Sequence, residues 1–452
     1  MNQGSVRVAA MAEGVPRIAL RRMRVAPSLR QGLRLASWLL AGQVAVSAAQ
    51  FVFTMMRARS LSIHDFGEFS YAAALVSIFA IIADFGLIII LVRELSRDSA
   101  RSKPMLQTAA GLSLLMASVA VLAVVAALTA LHASWLVTCI SLLFCGQLLI
   151  SAFGTGPIAY NRARHDTAYE AMGRLAQAAI LAGGGWLLLR HGGGAVAFAM
   201  VGLAGVVVSL LPVTGRAVAT LGWIRPRFDR RLAARLLGAA WPVGTGMIAT
   251  GIYYYFDTLF MAALGQTRAV ALYSASYVLL FGATIIISVL QSAFMPILSK
   301  AAIVDRERFG EACRSFVGVS ALGALALCAT GPLAAPYLLR GLYGPAFADA
   351  ALALRILFVT GGVMFLSSAF GTSMLALGRQ RQYLGVVAAG AAINVALNFA
   401  LIPRYSLNGA ATATLLAEVS VCVLMAWRLR GAMTGDAFSA SSAAERQREL
   451  AQ

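Results

Sequence analysis

The chain has 452 residues, of which 60% are hydrophobic and only 12% carry a charge, and its mean hydropathy is +0.79. Globular domains in water carry roughly a quarter charged residues, so the composition excludes such a domain and predicts a protein embedded in a bilayer. The 37 Lys and Arg against 18 Asp and Glu give a net charge of +19, and the placement of these charges decides between nucleic acid and membrane topology as the explanation.

Twelve apolar segments are long enough to cross a bilayer as helices of about 20 residues. In chain order they occupy residues 36–56, 70–92, 105–130, 134–156, 168–189, 194–214, 238–262, 273–298, 313–338, 351–377, 383–402 and 409–427. We number them segments 1 to 12. The predicted fold class is therefore an all-α polytopic membrane protein with about 12 transmembrane helices.

The positive charges lie mainly in alternate connections, beginning with the N-terminal tail. The most basic internal connection joins segments 6 and 7, and it contains Arg216, Arg225, Arg227, Arg230, Arg231 and Arg235. Lys and Arg accumulate in loops on the cytoplasmic side of a membrane, so both termini are predicted to be cytoplasmic. Because topology accounts for the basic excess, we expect no nucleic-acid partner.

The basic connection divides the chain into two halves of six segments. The predicted regions are a basic cytoplasmic N-terminal tail (1–35), an N-terminal six-helix bundle (36–214), a basic cytoplasmic linker (215–237), a C-terminal six-helix bundle (238–428) and a cytoplasmic C-terminal tail (429–452). Since each half has an even number of segments, both halves start on the same side of the membrane. The repeat is therefore predicted to be parallel.

A pattern of six residues supports two homologous halves. It occurs twice with the same spacing, as Phe153, Gly154, Thr155, Ala159, Arg162 and Arg164 and again as Phe370, Gly371, Thr372, Ala376, Arg379 and Arg381. Small residues in membrane helices allow close packing of backbones, and the basic pairs are expected to anchor cytoplasmic loops. We interpret the pattern as part of the scaffold and not as the site.

Polar residues form stripes on the first two segments of each half. Spacings of three, four or seven residues place each stripe on one helical face. The stripes contain Gln43, Ser47, Gln50, Thr54 and Arg57 in segment 1, Ser70, Ser77 and Asp84 in segment 2, Thr250, Tyr253, Tyr254 and Asp257 in segment 7, and Tyr277, Thr284, Ser288 and Gln291 in segment 8. Lipid does not solvate such faces, so the stripes predict a hydrated cavity between the halves.

A subset of these residues forms the candidate substrate site: Gln43, Ser47, Gln50, Thr54, Arg57, Asp84, Tyr253, Tyr254, Asp257, Tyr277 and Gln291. A charge at membrane depth costs about 2.5–3.5 kcal/mol on insertion scales. We therefore expect Asp84 and Asp257 to line the cavity, with an ion pair inside the protein as the alternative. Glu418 lies outside the stripe segments, and we expect it to be protonated or paired within its own half.

The five cysteines lie inside apolar segments and lack the spacing of metal ligands or redox pairs. We interpret them as small hydrophobic residues. No metal site and no catalytic residues are predicted, so the chain is not expected to be an enzyme.

Several short motifs, in a fixed order, resemble one family of membrane proteins. They are Arg59 to Phe69, Ala83 to Leu87 with Arg93, Leu342 to Phe347, Leu377 to Arg379, Asn394 to Asn398 before Leu401 to Pro403, and Asn408 to Thr412 with Glu418. Together they resemble the Wzx-like polysaccharide transporters of the multidrug/oligosaccharidyl-lipid/polysaccharide exporter superfamily. The resemblance covers about residues 36 to 428.

The resemblance implies a V-shaped pair of six-helix bundles with a central cavity lined mainly by helices 1, 2, 7 and 8. It implies a flippase of the bacterial inner membrane that moves an undecaprenyl-pyrophosphate-linked oligosaccharide from the cytoplasmic to the periplasmic leaflet by alternating access. The oligosaccharide would be an O-antigen, exopolysaccharide or capsule repeat unit. The implied partners are this lipid-linked oligosaccharide and membrane lipid, with polysaccharide polymerase and export proteins as further candidates. No cofactor is implied, and coupling to H⁺ or Na⁺ stays open.

A lipid-linked glycan of this kind needs two sorts of protein contact. A pyrophosphate is bound best by arginine, and Arg57 is the first candidate among Arg57, Arg93, Arg174 and Arg355. Sugars need a polar surface with aromatic faces, which Tyr253, Tyr254 and Tyr277 can supply.

Two other function classes compete with the flippase. One is a cation-coupled multidrug exporter, in which Asp84 and Asp257 would bind a cationic substrate or a coupling proton. The other is a membrane glycosyltransferase or polymerase acting on lipid-linked glycans. The short connections on the periplasmic side disfavour this enzyme, because it would need a catalytic domain or a long loop with paired carboxylates.

Overall fold

The computed structural model describes residues 27–97 and 102–433, and all regular secondary structure in this part of the chain is helical. Its elements are α1 (Pro27–Ser60), α2 (Ile63–Asp84), α3 (Leu87–Arg97), α4 (Ser102–Ala130), α5 (Trp135–Ala163), α6 (Ala168–His191), α7 (Ala195–Leu221), α8 (Arg230–Ala263), α9 (Thr267–Val304), α10 (Arg306–Leu342), a 3-10 helix (Pro345–Ala350), α11 (Ala351–Ala376) and α12 (Gln380–Met433). The predicted tails lie largely outside the described residues. In the described residues, α1 begins at Pro27, inside the predicted N-terminal tail, and α12 extends to Met433, inside the predicted C-terminal tail.

Ten helices in the described ranges are long and apolar enough to cross a membrane. The count takes α2 and α3 together as one span, and it also takes α12 as one span. Helix α12 is nevertheless broken at Ser406, where φ is 51° and ψ is −130°. This break falls between predicted segments 11 and 12. The all-α polytopic fold is confirmed, whereas the number of 12 transmembrane helices and the side of the termini stay predictions.

Segment 2, predicted as one helix over 70–92, is broken in the structure. Helix α2 ends at Asp84 because Phe85 and Gly86 take left-handed backbone conformations, with φ of 41° and 74°. A side chain on Gly86 would come within 2.6 Å of Val243 on α8, and the Phe85 ring contacts Trp241 with centroids 5.9 Å apart. The residues at the break therefore pack against α8, and Asp84 is the last residue of α2.

Helices pack extensively within each half, and a smaller set of contacts joins the two halves. Helix α6 packs against α1 and α7, α5 packs against α7, and α11 packs against α10 and α12. Between the halves, α2 contacts both α8 and α9. One close approach involves Gly67, where an added side chain would overlap with the backbone oxygen of Thr267. Helix α2 is thus the main link between the two halves.

Glycines of the repeated pattern serve helix packing, as predicted. A side chain on Gly154 of α5 would collide with Leu210 of α7. The equivalent Gly371 of α11 lies against Tyr383 and Met425 of α12. Since hydrophobic burial does not drive helix association within lipid, such close contacts carry much of the stability.

Helix α6 offers a direct test of this packing. An added methyl on Gly173 would overlap with the Ser209 backbone oxygen of α7, whereas Gly183 has nothing within 4 Å. Gly173→Ala is expected to lower stability by about 1–3 kcal/mol through overpacking. Gly183→Ala should leave it unchanged or raise it, because alanine favours helices. Thermal unfolding of both purified variants in one detergent checks the prediction, and equal midpoints would contradict it.

Candidate functional site

One cavity lies entirely within the N-terminal half. It has a volume of about 560 Å³, is partly open, and is lined by α2, α3, α5, α6 and α7. We call it the N-half cavity. Its walls are largely aliphatic, and its polar lining consists of Ser77, Asp84, Gln147, Ser151, Thr155, Gln177 and Ser209.

A second cavity lies within the C-terminal half. It has a volume of about 340 Å³, is partly open, and is lined by α8, α9, α11 and α12. We call it the C-half cavity. Its polar and aromatic lining consists of Thr250, Tyr253, Tyr254, Thr284, Ser288, Gln291, Ser367, Ser368, Thr372, Tyr383 and Glu418.

The two cavities occupy equivalent positions in the two halves. The repeated pattern aligns Ser151, Thr155 and Ile158 with Ser368, Thr372 and Leu375, and all six line their cavities. The similar helix starts Phe69-Ser70 and Tyr273-Ser274 align Ala80, Ala83 and Asp84 with Thr284, Ile287 and Ser288, which again line both cavities. The internal repeat is therefore visible as a pair of corresponding cavities.

Each cavity contains one carboxyl group, but the two groups do not correspond. Asp84 of α2 aligns with Ser288 of α9. The pairing of Gly194 with Gly409 aligns Glu418 of α12 with Leu203 of α7. The halves have thus kept the shape of the cavity while they diverged in its charge.

Glu418 is bound by hydroxyl groups of its own half. The Tyr253 hydroxyl donates to Glu418 Oε2 at 2.8 Å, and the Ser367 hydroxyl donates to Oε1. The Glu418 residue is only 7% exposed, so these bonds replace the water that the carboxyl loses. The expectation that Glu418 is paired within its half is confirmed.

The carboxyl group of Asp84, unlike that of Glu418, is not held by hydrogen bonds from the described residues. Its half-buried carboxyl faces the N-half cavity and has no hydrogen bond to any other residue in the described part of the chain. The Arg162 guanidinium is close enough to act on it electrostatically. This guanidinium is already bound to Glu170 at 2.8 and 2.7 Å, so Asp84 keeps free acceptor oxygens in the cavity.

The first residues of the segment 1 stripe are hydrogen-bonded to this network of charged residues. Arg174 binds Glu170 at 2.8 Å and also donates to Gln43 Oε1. Gln43 in turn donates to Ser47 at 3.3 Å. Gln50 is exposed, and its backbone oxygen accepts from Thr54 at 2.9 Å. None of these four stripe residues lines the N-half or C-half cavity.

Asp257 is an internal acceptor of the C-terminal half. It is 1% exposed, and it accepts hydrogen bonds from the Tyr273 hydroxyl and, at 2.8 Å, from the Thr258 backbone. The buried ring of Tyr277 packs beside Tyr273, with centroids 5.5 Å apart. Neither Asp257 nor Tyr277 lines the C-half cavity, whereas Tyr253, Tyr254 and Gln291 do.

Arg57 lies among aromatic side chains where α1 meets α2. The charge distribution predicts that this end of the bundle faces the periplasm, and we call it the outer end. The Arg57 guanidinium lies 3.8 Å from the Phe69 ring centroid and 5.2 Å from that of Phe66, within the range of cation–π attraction. Its buried Nε has no hydrogen-bond partner among the described residues. Binding of pyrophosphate by Arg57 stays a prediction.

Contacts at the outer end join the two halves. Arg59 donates to the Leu342 oxygen at 2.8 Å and to the Gly341 oxygen at the end of α10. The Phe66 ring meets Phe347 edge-on, with centroids 5.5 Å apart. Cations favour helix C-termini, where carbonyl groups lack partners. We call Arg57, Arg59, Phe66, Tyr343 and Phe347 the outer clasp.

The sequence patterns do not predict the outer clasp. The partners of Arg59 lie more than 280 positions away, which no periodic pattern can reveal. The available signal was the Leu342 to Phe347 motif, which forms the other side of the clasp.

Breaking the Arg59 contact should loosen the outer end. Because hydrogen bonds to charged groups contribute about 1.5–3 kcal/mol, Arg59→Gln is expected to speed hydrogen–deuterium exchange in residues 341–347 by about tenfold. Arg190→Gln is the matched control, since Arg190 lies over Trp186 at the end of α6. Unchanged exchange in the Arg59 variant would show that the clasp does not hold this segment.

Solved structures of transporters share this architecture over most of their length. The chain is similar to an inward-facing conformation of a multidrug resistance MATE family transporter of the MOP superfamily, with a TM-score of 0.67, 16% identity, and coverage of 86% of this chain and 95% of that chain. It is also similar to the lipid II flippase MurJ in an inward closed conformation, with a TM-score of 0.65, 12% identity, and coverage of 88% and 87%. These likenesses establish the fold.

The sequence comparison adds the family. No curated protein matches the chain significantly. Residues 33–302 match the family described as "Polysaccharide biosynthesis protein", and this match spans more than half of the 452 residues. The chain therefore belongs to the polysaccharide biosynthesis protein family, and its fold is that of the MOP superfamily transporters.

Proposed function

We propose that the protein is a flippase of the bacterial inner membrane that moves an undecaprenyl-pyrophosphate-linked oligosaccharide from the cytoplasmic to the periplasmic leaflet. The observation that carries the proposal is the match to a polysaccharide biosynthesis family in a chain with a transporter fold. The oligosaccharide would be an O-antigen, exopolysaccharide or capsule repeat unit. Polysaccharide polymerase and export proteins are the proposed partners in the membrane.

The cavities supply the physical basis for this activity. A glycan cannot cross the hydrocarbon core unaided, because its hydroxyl groups would lose their hydrogen bonds to water. Polar cavities inside each half offer replacement partners, while the prenyl tail remains in lipid. At the outer end the aromatic clasp residues belong to a buried apolar cluster in which Phe66 of the N-terminal half packs with Leu272 and Leu339 of the C-terminal half. This cluster closes the outer end, and in the proposed alternating access it separates when that end opens.

The experiment is a clean deletion of the gene, followed by analysis of surface polysaccharide and lipid-linked intermediates. We expect surface glycan to disappear and its lipid-linked precursor to accumulate, with both restored by the wild-type gene. A normal amount of surface glycan, in a strain without a second flippase, would overturn the proposal.

A cation-coupled multidrug exporter is the second candidate, and the unbonded carboxyl of Asp84 favours it. Such a carboxyl suits a cationic substrate or a coupling H⁺ or Na⁺, and the flippase could draw on the same coupling. Drug susceptibility of the deletion strain separates the two functions. Sensitivity to cationic drugs with intact surface glycan would support the exporter, while glycan loss with unchanged sensitivity would support the flippase.

A further inference from the structure

We propose that the C-half cavity is a binding site for one sugar ring of the transported glycan. This inference rests on the proposed flippase function, and it places the sugar inside the C-terminal half and not in the space between the halves. Three features of the cavity support it: the hydrogen-bonding state of its walls, its aromatic faces and its size.

Seven of the nine hydroxyl groups that line the cavity donate their hydrogens within the described part of the protein, and only those of Tyr254 and Tyr383 do not. Five of them donate their hydrogens to carbonyl oxygens of their own helices at 2.7–3.0 Å, namely Thr250, Thr284, Ser288, Ser368 and Thr372. The hydroxyls of Tyr253 and Ser367 donate to Glu418. Each of these hydroxyl oxygens therefore presents lone pairs to the cavity. A matching ligand must supply several donors, which a ring with many hydroxyl groups does.

Three other side chains complete the recognition surface. Gln291 has no hydrogen bond to another residue in the described part of the chain, so its amide can both donate and accept. Tyr254 and Tyr383 line the same cavity, and the Tyr254 ring is fixed by an edge contact with Tyr253 at 5.6 Å. Rigid aromatic rings give contact area at a low cost in conformational entropy. Their faces suit the C–H surfaces of a sugar.

The size of the cavity distinguishes a sugar from a bare cation. One water molecule takes about 30 Å³ of the liquid, so the 340 Å³ of this cavity would hold roughly ten. A pyranose ring with its substituents has a comparable number of heavy atoms. A metal cation instead needs its oxygen ligands at about 2.0–2.6 Å and would leave most of this space unused.

The N-half cavity lacks the same features. Thr284 is replaced there by Ala80 and Ser288 by Asp84, and its one aromatic lining residue is Phe144. The C-half cavity also extends towards the junction of α11 and α12, where Thr372, Leu375 and Tyr383 line it. The charge distribution predicts that this end is cytoplasmic, which is the side on which the glycan is loaded.

The test compares two ligands on the purified full-length protein in nanodiscs. One is the lipid-linked glycan extracted from the deletion strain, and the other is undecaprenyl pyrophosphate without sugar. The wild type should bind the glycan-bearing lipid at least about tenfold more tightly. Gln291→Ala and Tyr254→Ala should each reduce this preference severalfold and leave the affinity for undecaprenyl pyrophosphate within about twofold. Tyr254→Phe, which keeps the aromatic ring, should retain most of the preference for the glycan-bearing lipid.

The controls use exposed residues of the same types. Gln382→Ala and Tyr405→Ala change side chains that are exposed and should preserve the preference. If the wild type binds both lipids equally, or if Gln291→Ala changes Na⁺ dependence but not the preference for the glycan, the sugar site is overturned while the flippase stands. If neither lipid binds the wild type, the proposed function itself fails.

Discussion

Replacing Glu418 by leucine is expected to destabilise the C-terminal half by about 2–4 kcal/mol. Two hydroxyl groups donate to this carboxyl, from Tyr253 at 2.8 Å and from Ser367. Without this acceptor the Tyr253 hydroxyl is left without a partner, and the Ser367 hydroxyl keeps only its 3.3 Å contact to the Met364 backbone oxygen, in a site where Glu418 is only 7% exposed. Hydrogen bonds between side chains in membrane proteins contribute about 0.6 kcal/mol on average. The loss of stability on removing a carboxyl that accepts from two donors should be well above that average.

Thermal unfolding in one detergent measures the effect. The midpoint of Glu418→Leu should fall by several degrees, with Glu418→Gln in between because the amide keeps one acceptor oxygen. A double-mutant cycle with Tyr253→Phe should show strong coupling, since either change removes the same hydrogen bond. Full additivity of the two changes, or a wild-type midpoint for Glu418→Leu, would contradict the structural role.

Asp84→Asn is expected to reduce transport at least about tenfold while leaving the unfolding midpoint unchanged or raised. The carboxyl faces the N-half cavity without a hydrogen-bond donor from the described residues, so the amide removes its charge without breaking a bond. A carboxylate at membrane depth carries a cost of about 2.5–3.5 kcal/mol on insertion scales. Such a group is more easily explained by use in transport than by a contribution to stability.

Complementation of the deletion strain measures transport as surface glycan per amount of protein in the membrane. Asp349→Asn is the matched control, because Asp349 forms an exposed pair with Arg268 and such pairs contribute little. If Asp84→Asn transports normally and unfolds at a lower temperature, Asp84 serves mainly as a partner of Arg162. Opposite outcomes for Asp84 and Glu418 would show that the two cavities use their carboxyls differently.

The sequence carries most of the information about helices and little about their breaks. Long apolar segments predict spans reliably, because lipid leaves a backbone no alternative to internal hydrogen bonding. The break after Asp84 was missed because Phe85 takes a left-handed conformation that its residue type does not favour. The Phe85 ring packs against Trp241 of α8, and this contact is not visible in local sequence.

The distribution of the polar stripes over the molecule was not predicted. Helical periodicity shows which residues share a face, and it does not show which helix that face meets. Gln43 therefore accepts a hydrogen bond from Arg174 of α6, while Tyr253 donates one to Glu418 of α12. The sequence predicted one cavity between the halves, whereas the structure places Asp84 in one cavity and Tyr254 with Gln291 in another. A role for these residues in substrate binding stays a prediction.

Reconstitution of the purified protein into liposomes tests the central claim most directly. The lipid-linked glycan is placed in one leaflet, and its appearance in the other is followed by an added glycosidase or lectin that cannot cross the membrane. The flippase account predicts that wild-type protein makes the glycan accessible far faster than empty liposomes do, and that Asp84→Asn slows this at least about tenfold. Equal rates with and without the wild-type protein, under any applied H⁺ or Na⁺ gradient, would contradict it.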